Sequence, residues 1–571
     1  LKYLIKSLIF LFYFDIYFFT YLLYNCYISF LVILLILGEK FMVKTSKTKI
    51  GAKAWSAVVI FGLFGQLAWM LENMYLNLFM DRTVSRSPVG ISIMVGASAI
   101  VATITTLVMG TFSDKRGKRK KLISVGYIIW GLSVMLFGAV SVKNTMNFFN
   151  TSQNVAIPLT IGIIVFLDCV MTFFGSTAND AAFVSWVTDI SDDTNRGTLD
   201  GVLAVMPLIA MGLILGAFDP LTQNTYLKDG VETNQWSDGA QLIKHGNWVL
   251  FFVIIGALVT FVGILGLFLV KDSPTLKPNE KLTYKDILYG FRKDVIKENK
   301  ILYVVFLVIC IIGIANNAYM PYLVIYIERT LEIKNYVLPV IIIGGAAAIG
   351  SVVLGILYDK FGKSKFIFPV FVLYVVGAVL MTIVSPIIFK DGPTPIGAIV
   401  VPGFLLMCSN LGIAALTAAA IKDLVPKDRV GGFSGVRMVF IVLIPMVIGP
   451  ALTAILTKAS AVVGSDEYGE PIYKYPPYMF LISAGVALLA IPFLITLYKY
   501  FKNAESKVVN ESLETTLDTS TEKFEYENSE ILNENTSVLN NYTLKESSKN
   551  ADTSNDETTD GNANTPKKSD E

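Results

Sequence analysis

Gly110-Thr-Phe-Ser-Asp114-Lys-Arg-Gly117-Lys118-Arg119-Lys120 and Gly355-Ile-Leu-Tyr-Asp359-Lys-Phe-Gly362-Lys363-Ser364-Lys365 are two copies of one pattern, G-x-x-x-D-K-x-G-K-x-K. Each follows an apolar run and precedes another. A second pair lies further along in each half, running from Asp189 to Arg196-Gly197 and from Asp423 to Arg429-Val-Gly431. A single basic loop is what the positive-inside rule produces at any inner loop. Two copies in register mark a chain built from two related halves. The glycines are expected to permit a tight turn and close helix approach. Each Asp is placed to pair with the cationic turn or to cap a neighbouring helix. Gly110, Asp114, Gly117, Lys118, Arg119, Gly355, Asp359, Gly362, Lys363 and Lys365 are therefore candidate gating residues, a latch that holds the two halves in one state and releases them in another. Gly362-Lys363-Ser364 resembles the end of a phosphate-binding loop, but the glycine needed five residues earlier is Leu357, so no ATPase signature is present.

Of the 571 residues, 54% are apolar and 16% charged, against about 25% charged in soluble domains. Mean hydropathy is +0.59. Such a chain cannot cover a soluble protein of this length and belongs in lipid. Cys26, Cys169, Cys310 and Cys408 stand singly in apolar runs, and His245 is the one histidine, in a polar loop. This excludes a disulfide framework, a zinc finger and a buried histidine-based catalytic centre. No metal, cofactor or nucleic-acid partner is expected, and no enzymatic activity.

A membrane-spanning helix needs about 20 apolar residues. Spans are predicted near 55–80, 89–112, 121–142, 157–186, 199–218 and 248–270, then 301–327, 338–358, 365–388, 396–421, 432–456 and 477–498. The predicted fold is an all-α integral membrane protein of twelve helices. Its first half covers residues 50–270 and its second 301–500, with a charged cytoplasmic linker at 271–300. With the start of the first span inside, inner loops carry about 25 Lys and Arg against about 10 outside, so both ends of the body are placed in the cytoplasm of a cell-membrane protein. Residues 1–41 are an apolar extension whose first 37 residues lack Gly, Ala and Pro. We read it as translated upstream DNA with Met42 as the start, an extra anchor helix being the alternative. Residues 501–571 carry 7 Lys and 16 Asp or Glu, a net charge of −9. This polar stretch is expected to be a disordered acidic cytoplasmic tail.

Polar groups within spans are costly and are functional candidates. In the first span Gln66, Trp69, Asn73 and Asn77 fall at spacings of 3, 4 and 4, one stripe of a helix, with Glu72 beside it. Amides match hydroxyls and an aromatic face packs on a sugar ring, so these five residues are candidate substrate contacts. Asn316 and Asn317 of the seventh span, the pseudo-equivalent of the first, join them. In the fourth span Asp168, Thr172, Ser176 and Asp180 recur every four residues. Asp168 and Asp180 are candidate proton carriers, since burial tunes a carboxyl towards neutrality. A competing reading pairs Asp180 with Arg437 at the cytoplasmic rim.

The twelve spans and the duplicated loop resemble the major facilitator superfamily over residues 50–500. The resemblance implies alternating access around a midplane site. The segment Asp180-Ala-Ala-Phe183-Val-Ser185-Trp-Val-Thr188-Asp189-Ile190-Ser-Asp-Asp193 is similar to helix four of the glycoside–pentoside–hexuronide:cation symporters, which reads D-x-P-F-x-S-x-V-P-x-I-T-x-D. That likeness implies a cation-site role for Asp180 and a sugar-like solute. The branch carries two acids in its second helix where this chain has Ala102 and Thr106, an acid in its first helix near Leu67, and prolines at Ala182 and Thr188. The expected function is therefore transport of a small polar solute, a sugar or glycoside, coupled to protons in preference to sodium, by a monomer in the lipid bilayer. Export of amphipathic compounds on the same fold is the alternative, and a non-transporting sensor the second.

Overall fold

The computed structural model describes residues 50–191, 195–233, 241–272, 278, 284–333, 335–384, 394–426, 430–460, 462–466, 468–506, 529–534 and 536–538. The extension at 1–41, most of the acidic tail and Arg429 lie outside the described residues. The chain divides into a unit ending at Lys499 and one starting at Tyr500.

The first half holds α1 (Ala52–Thr83), α2 (Pro88–Arg116), α3 (Lys120–Ala139), α4 (Gln153–Ile190), α5 (Gly197–Thr222) and α6 (Trp248–Leu269). The second holds α7 (Lys300–Thr330), α8 (Val337–Phe361), α9 (Ile367–Ile383), α10 (Ile396–Leu424) and α11 (Phe433–Lys458). It closes with α12, in which Tyr478–Leu488 and Ile491–Ser506 meet at a 49° bend. Ten of these are long and apolar enough to span a bilayer, eleven with the bent pair, and α9 is the shorter apolar helix. Each predicted span has its helix.

Packing within a half depends on small residues. A Cβ added at Gly131 of α3 would fall 2.4 Å from the carbonyl oxygen of Gly256 in α6, and one at Gly256 would fall 2.5 Å from that of Gly131. The two backbones touch there, as lipid-embedded helices do where glycine permits it. The halves meet along α2 with α11 and α5 with α8. The composition of 271–300 predicts a polar linker, yet Tyr284–Phe291 and Lys293–Glu298 are helical. Val295 is buried there against Leu302, Phe306, Phe433 and Val436, because its apolar face has the base of the second half to cover.

Two small sheets, read from sequence only as loops, cap one end. Between α5 and α6, β1 (Thr225–Lys228) pairs antiparallel with β2 (Val231–Thr233) and β3 (Gln241–Lys244). Asp229 and Gly230 both have positive φ, 52° and 79°, the pairing a two-residue hairpin turn demands. Between α11 and α12, β4 (Val462–Ser465) pairs with β5 (Pro471–Tyr473). The sheets pack together through Tyr226, Leu242, Val463 and Ile472.

Candidate functional site

The polar stripe of α1 does not run straight. A π-helical turn over Leu71–Tyr75 adds a residue to one turn and rotates the remainder of the helix, a device common at functional sites. Asn73 is exposed, Gln66 and Trp69 are half-buried, and Glu72 and Asn77 are buried. The Asn73 amide donates to the Trp69 carbonyl at 2.9 Å and the Asn77 amide to the Asn73 carbonyl at 2.8 Å. The ring of Trp69 lies against Trp130, with centroids 5.1 Å apart. In α7, Asn316 accepts a hydrogen bond from the Tyr319 hydroxyl at 2.7 Å and Asn317 donates to the Gly313 carbonyl at 2.9 Å. Both precede a break in the helix at Met320–Tyr322.

Glu72 turns towards α4. Its carboxylate accepts from the Thr172 hydroxyl at 2.9 Å and lies within the fields of Asp168 and Asp180. The second oxygen of Glu72 and one oxygen of Asp168 are buried without a partner. A second π-helical turn, Ser176–Phe183, sits where Asn179 and Asp180 meet the first helix. Asn179 donates to Asp180 at 3.0 Å and accepts from the Tyr127 hydroxyl at 2.9 Å. A Cβ at Gly65 would strike both Asn179 and Tyr127, at 2.6 Å each, so this network needs glycine in α1. Arg437 is exposed and forms no ion pair with Asp180 among the described residues. The face of α4 thus gathers three carboxylates, with Glu72 closing on the Asp168–Thr172 edge. The four-residue spacing in α4 exposed Asp168 and Asp180 to sequence reasoning, whereas nothing local showed which way Glu72 points.

At one end of the bundle the repeated loop does something other than latch the halves. Arg119 bonds Asp114 at 2.6 Å and Asp189 at 2.9 Å, and its guanidinium donates to Ser113 at 2.7 Å. The backbone N–H groups of Arg119 and Lys120 donate to Asp272 at 2.7 and 2.8 Å. Burial works against the charge of Arg119, but the Asp189 hydrogen bond and the Asp114 charge outweigh it and hold the guanidinium above its usual value. In the second half Lys363 pairs with Asp423 at 2.5 Å. These bonds join the two repeated motifs inside each half, not across the halves as expected. The copies also differ. Ser364 stands where Arg119 does, and Asp359 is exposed with no ion pair among the described residues, for want of that arginine. Lys118 and Lys365 are exposed. Gly117 and Gly362 have positive φ, 59° and 91°, and make the turn. Gly110 and Gly355 face open space, with nothing within 4 Å of an added Cβ, so the expectation that they permit close helix approach is corrected.

A charged contact between the halves lies at the opposite end and was missed in the sequence. Asp81-Arg82-Thr83 ends α1 and Glu328-Arg329-Thr330 ends α7. Arg82 donates to Glu328 at 2.7 Å, and Arg329 pairs reciprocally with Asp81. Arg82 also donates to the carbonyl and hydroxyl of Thr222, at 3.1 and 3.2 Å. Buried Asp219 accepts from the Tyr75 hydroxyl at 3.0 Å and from that of Tyr336. Burial first, with the charge of Asp219 behind it, keeps the Tyr336 phenol protonated far above the ordinary range. The repetition of acid-Arg-Thr at equivalent ends was the available signal.

Two repeated halves of membrane helices, joined at one end by two reciprocal charge pairs, have the architecture of a membrane transporter. The chain belongs to the major facilitator superfamily, whose family model matches residues 16–419, more than half of its length. Sugar efflux transporter A of Dickeya chrysanthemi is 23% identical over 161 residues, 28% of this chain and 36% of that protein, so the match spans about a third of the curated relative. The fold is similar to that of a D-xylose-proton symporter, with TM-score 0.56, 14% identity, and 77% of this chain and 97% of that one covered. It is also similar to the nucleoside transporter NupG, with TM-score 0.53, 11% identity, and 78% and 98% covered.

Proposed function

We propose that the protein moves a small polar solute, a sugar or glycoside, across the cell membrane by alternating access, with protons as the coupling ion. The observation that carries the coupling is the burial of Glu72 and Asp168 and the half-burial of Asp180 within the helices, with Glu72 bonded to Thr172 of α4, because acids inside membrane spans are costly and serve as stations of proton relays. Glu72 thus passes from the solute contacts to the proton path. Gln66, Trp69 and Asn73 on α1 and Asn316 and Asn317 on α7 remain as solute contacts near the middle of their helices. The Lys and Arg count supports a cytoplasmic position for the Arg119 end, which makes the Arg82–Glu328 end the outer one. Reciprocal pairing there describes a state closed to the outside, and solute release requires those pairs to part.

The name of the sugar efflux relative supports a second reading, in which the same sugar class leaves the cell. Uptake and counterflow in proteoliposomes, under imposed pH or sodium gradients and across sugars, nucleosides and amphipathic drugs, separates these readings. Accumulation driven by a pH gradient and indifferent to sodium is expected; sodium-driven accumulation at constant pH overturns the assignment.

A further inference from the structure

Above the Arg82–Glu328 and Arg329–Asp81 pairs lies a cavity of about 510 Å³, walled by Arg82 and Arg86 below and by Tyr226, Leu242, Asp466 and Ile472 of the sheets above. Arg82, Arg86 and Asp81 line its floor and Asp466 its far side, with Arg329, Glu328 and Asp219 joined to the floor residues or to their tyrosine partners. The pairing among them is uneven. Arg82 takes Glu328, Arg329 takes Asp81, and Asp219 is held by two tyrosine hydroxyls and the Gln223 amide. Asp466, on the sheet side, accepts the backbone N–H groups of Tyr468 and Glu470 at 2.9 Å each, which ties that oxygen to its own turn.

Arg86 is left over. It is 6% exposed and makes no ion pair among the described residues. One of its terminal nitrogens is buried without a partner, as are Nε of Arg82 and one terminal nitrogen of Arg329. Burial pushes the Arg86 guanidinium below its ordinary value, and the like charge of Arg329 adds to this, more than Tyr226 and Asp81 offset. No acid is bonded to it among the described residues, yet it borders a cavity with room for a monosaccharide-sized molecule. A guanidinium so placed gains from an oxyanion that brings both charge and acceptors.

We propose that this capped cavity is a binding site for an oxyanion, a carboxylate or phosphate on a solute no larger than a monosaccharide, with Arg86 as its counter-charge. Tyr226, Leu242 and Ile472 supply the apolar wall against which the carbon skeleton rests. The site is distinct from the α1–α4 carboxylates, whose charge would repel such a ligand. It goes beyond the transport reading, and equilibrium binding needs no transport.

The test is titration calorimetry on the purified full chain in nanodiscs, with D-glucuronate, inorganic phosphate and D-glucose at constant ionic strength. The oxyanions are expected to bind, with at least tenfold weaker affinity in Arg86→Gln and partial recovery in Arg86→Lys. Neither oxyanion binding the native chain, or both binding Arg86→Gln as tightly as the native chain, overturns the proposal. Should Arg86→Gln fail to fold, Gln241→Cys at the cavity wall gives a second readout. Its labelling by a charged thiol reagent, read against the unsubstituted chain, is expected to slow at least threefold in glucuronate but not in glucose. Equal labelling in the two sugars overturns the proposal.

Discussion

Arg82 at the end of α1 and Glu328 at the end of α7 stand 246 residues apart in sequence and 2.7 Å apart in space. Arg329 and Asp81, their neighbours in the chain, form the mirrored pair. Each half therefore supplies one cation and one anion to the other. A twofold arrangement of this kind holds the halves together without net charge, and it dissolves only when both pairs part.

Breaking one pair leaves a buried charge uncompensated, at a cost of about 3–5 kcal/mol. Glu328→Gln is expected to shift the protein towards the state open at this end. Thiol labelling of Ser85→Cys, buried in the closed state, should then quicken by more than tenfold. Unchanged labelling would show that the pair does not gate.

The two repeated loops predict unequal effects. The Arg119 guanidinium pairs with Asp114 and Asp189, so Arg119→Met leaves two carboxylates without their cation. It should lower thermal stability by several degrees and slow transport at least tenfold. Asp359→Ala removes an exposed group with no ion pair among the described residues, and its stability should stay within about 0.5 kcal/mol of the native chain. Equal losses in the two variants would contradict the asymmetry between Arg119 and Ser364.

Coupling is tested at Glu72. Glu72→Gln keeps the shape and the Thr172 hydrogen bond but removes the acid. Accumulation down a pH gradient should vanish while solute exchange persists at a fifth or more of the native rate. Full accumulation by Glu72→Gln, with loss only in Asp168→Asn or Asp180→Asn, would return Glu72 to the solute side.

Glycines of one sequence type predict opposite outcomes. Gly131→Ala drives a methyl group into the α6 backbone and is expected to prevent accumulation of folded protein. Gly110→Ala meets open space and should stabilise α2 by up to about 1 kcal/mol, through the lower helix propensity of glycine. Expression level and thermal unfolding of the two variants, measured side by side, decide this.

The spans, the two halves and both repeated loops were legible because they are local properties. A run of apolar residues must be helical in lipid to satisfy its own backbone, and a motif recurring at matched positions records duplication wherever the side chains point. The pairing of Asp189 with Arg119 and of Asp423 with Lys363 was not legible in that way, although all four residues stand in the repeats, because it depends on how separate loops meet. What packing decided was direction. The π-helical turns at Leu71–Tyr75 and Ser176–Phe183 rotate α1 and α4 by an amount no uniform period contains, which sent Glu72 towards Thr172 and buried Asn77. The Asp81-Arg82 and Glu328-Arg329 dipeptides were visible as letters, but an acid beside an arginine reads as a local pair. That each arginine instead reaches the acid of the other half depends on how two helix ends converge, and only the folded bundle brings those ends together.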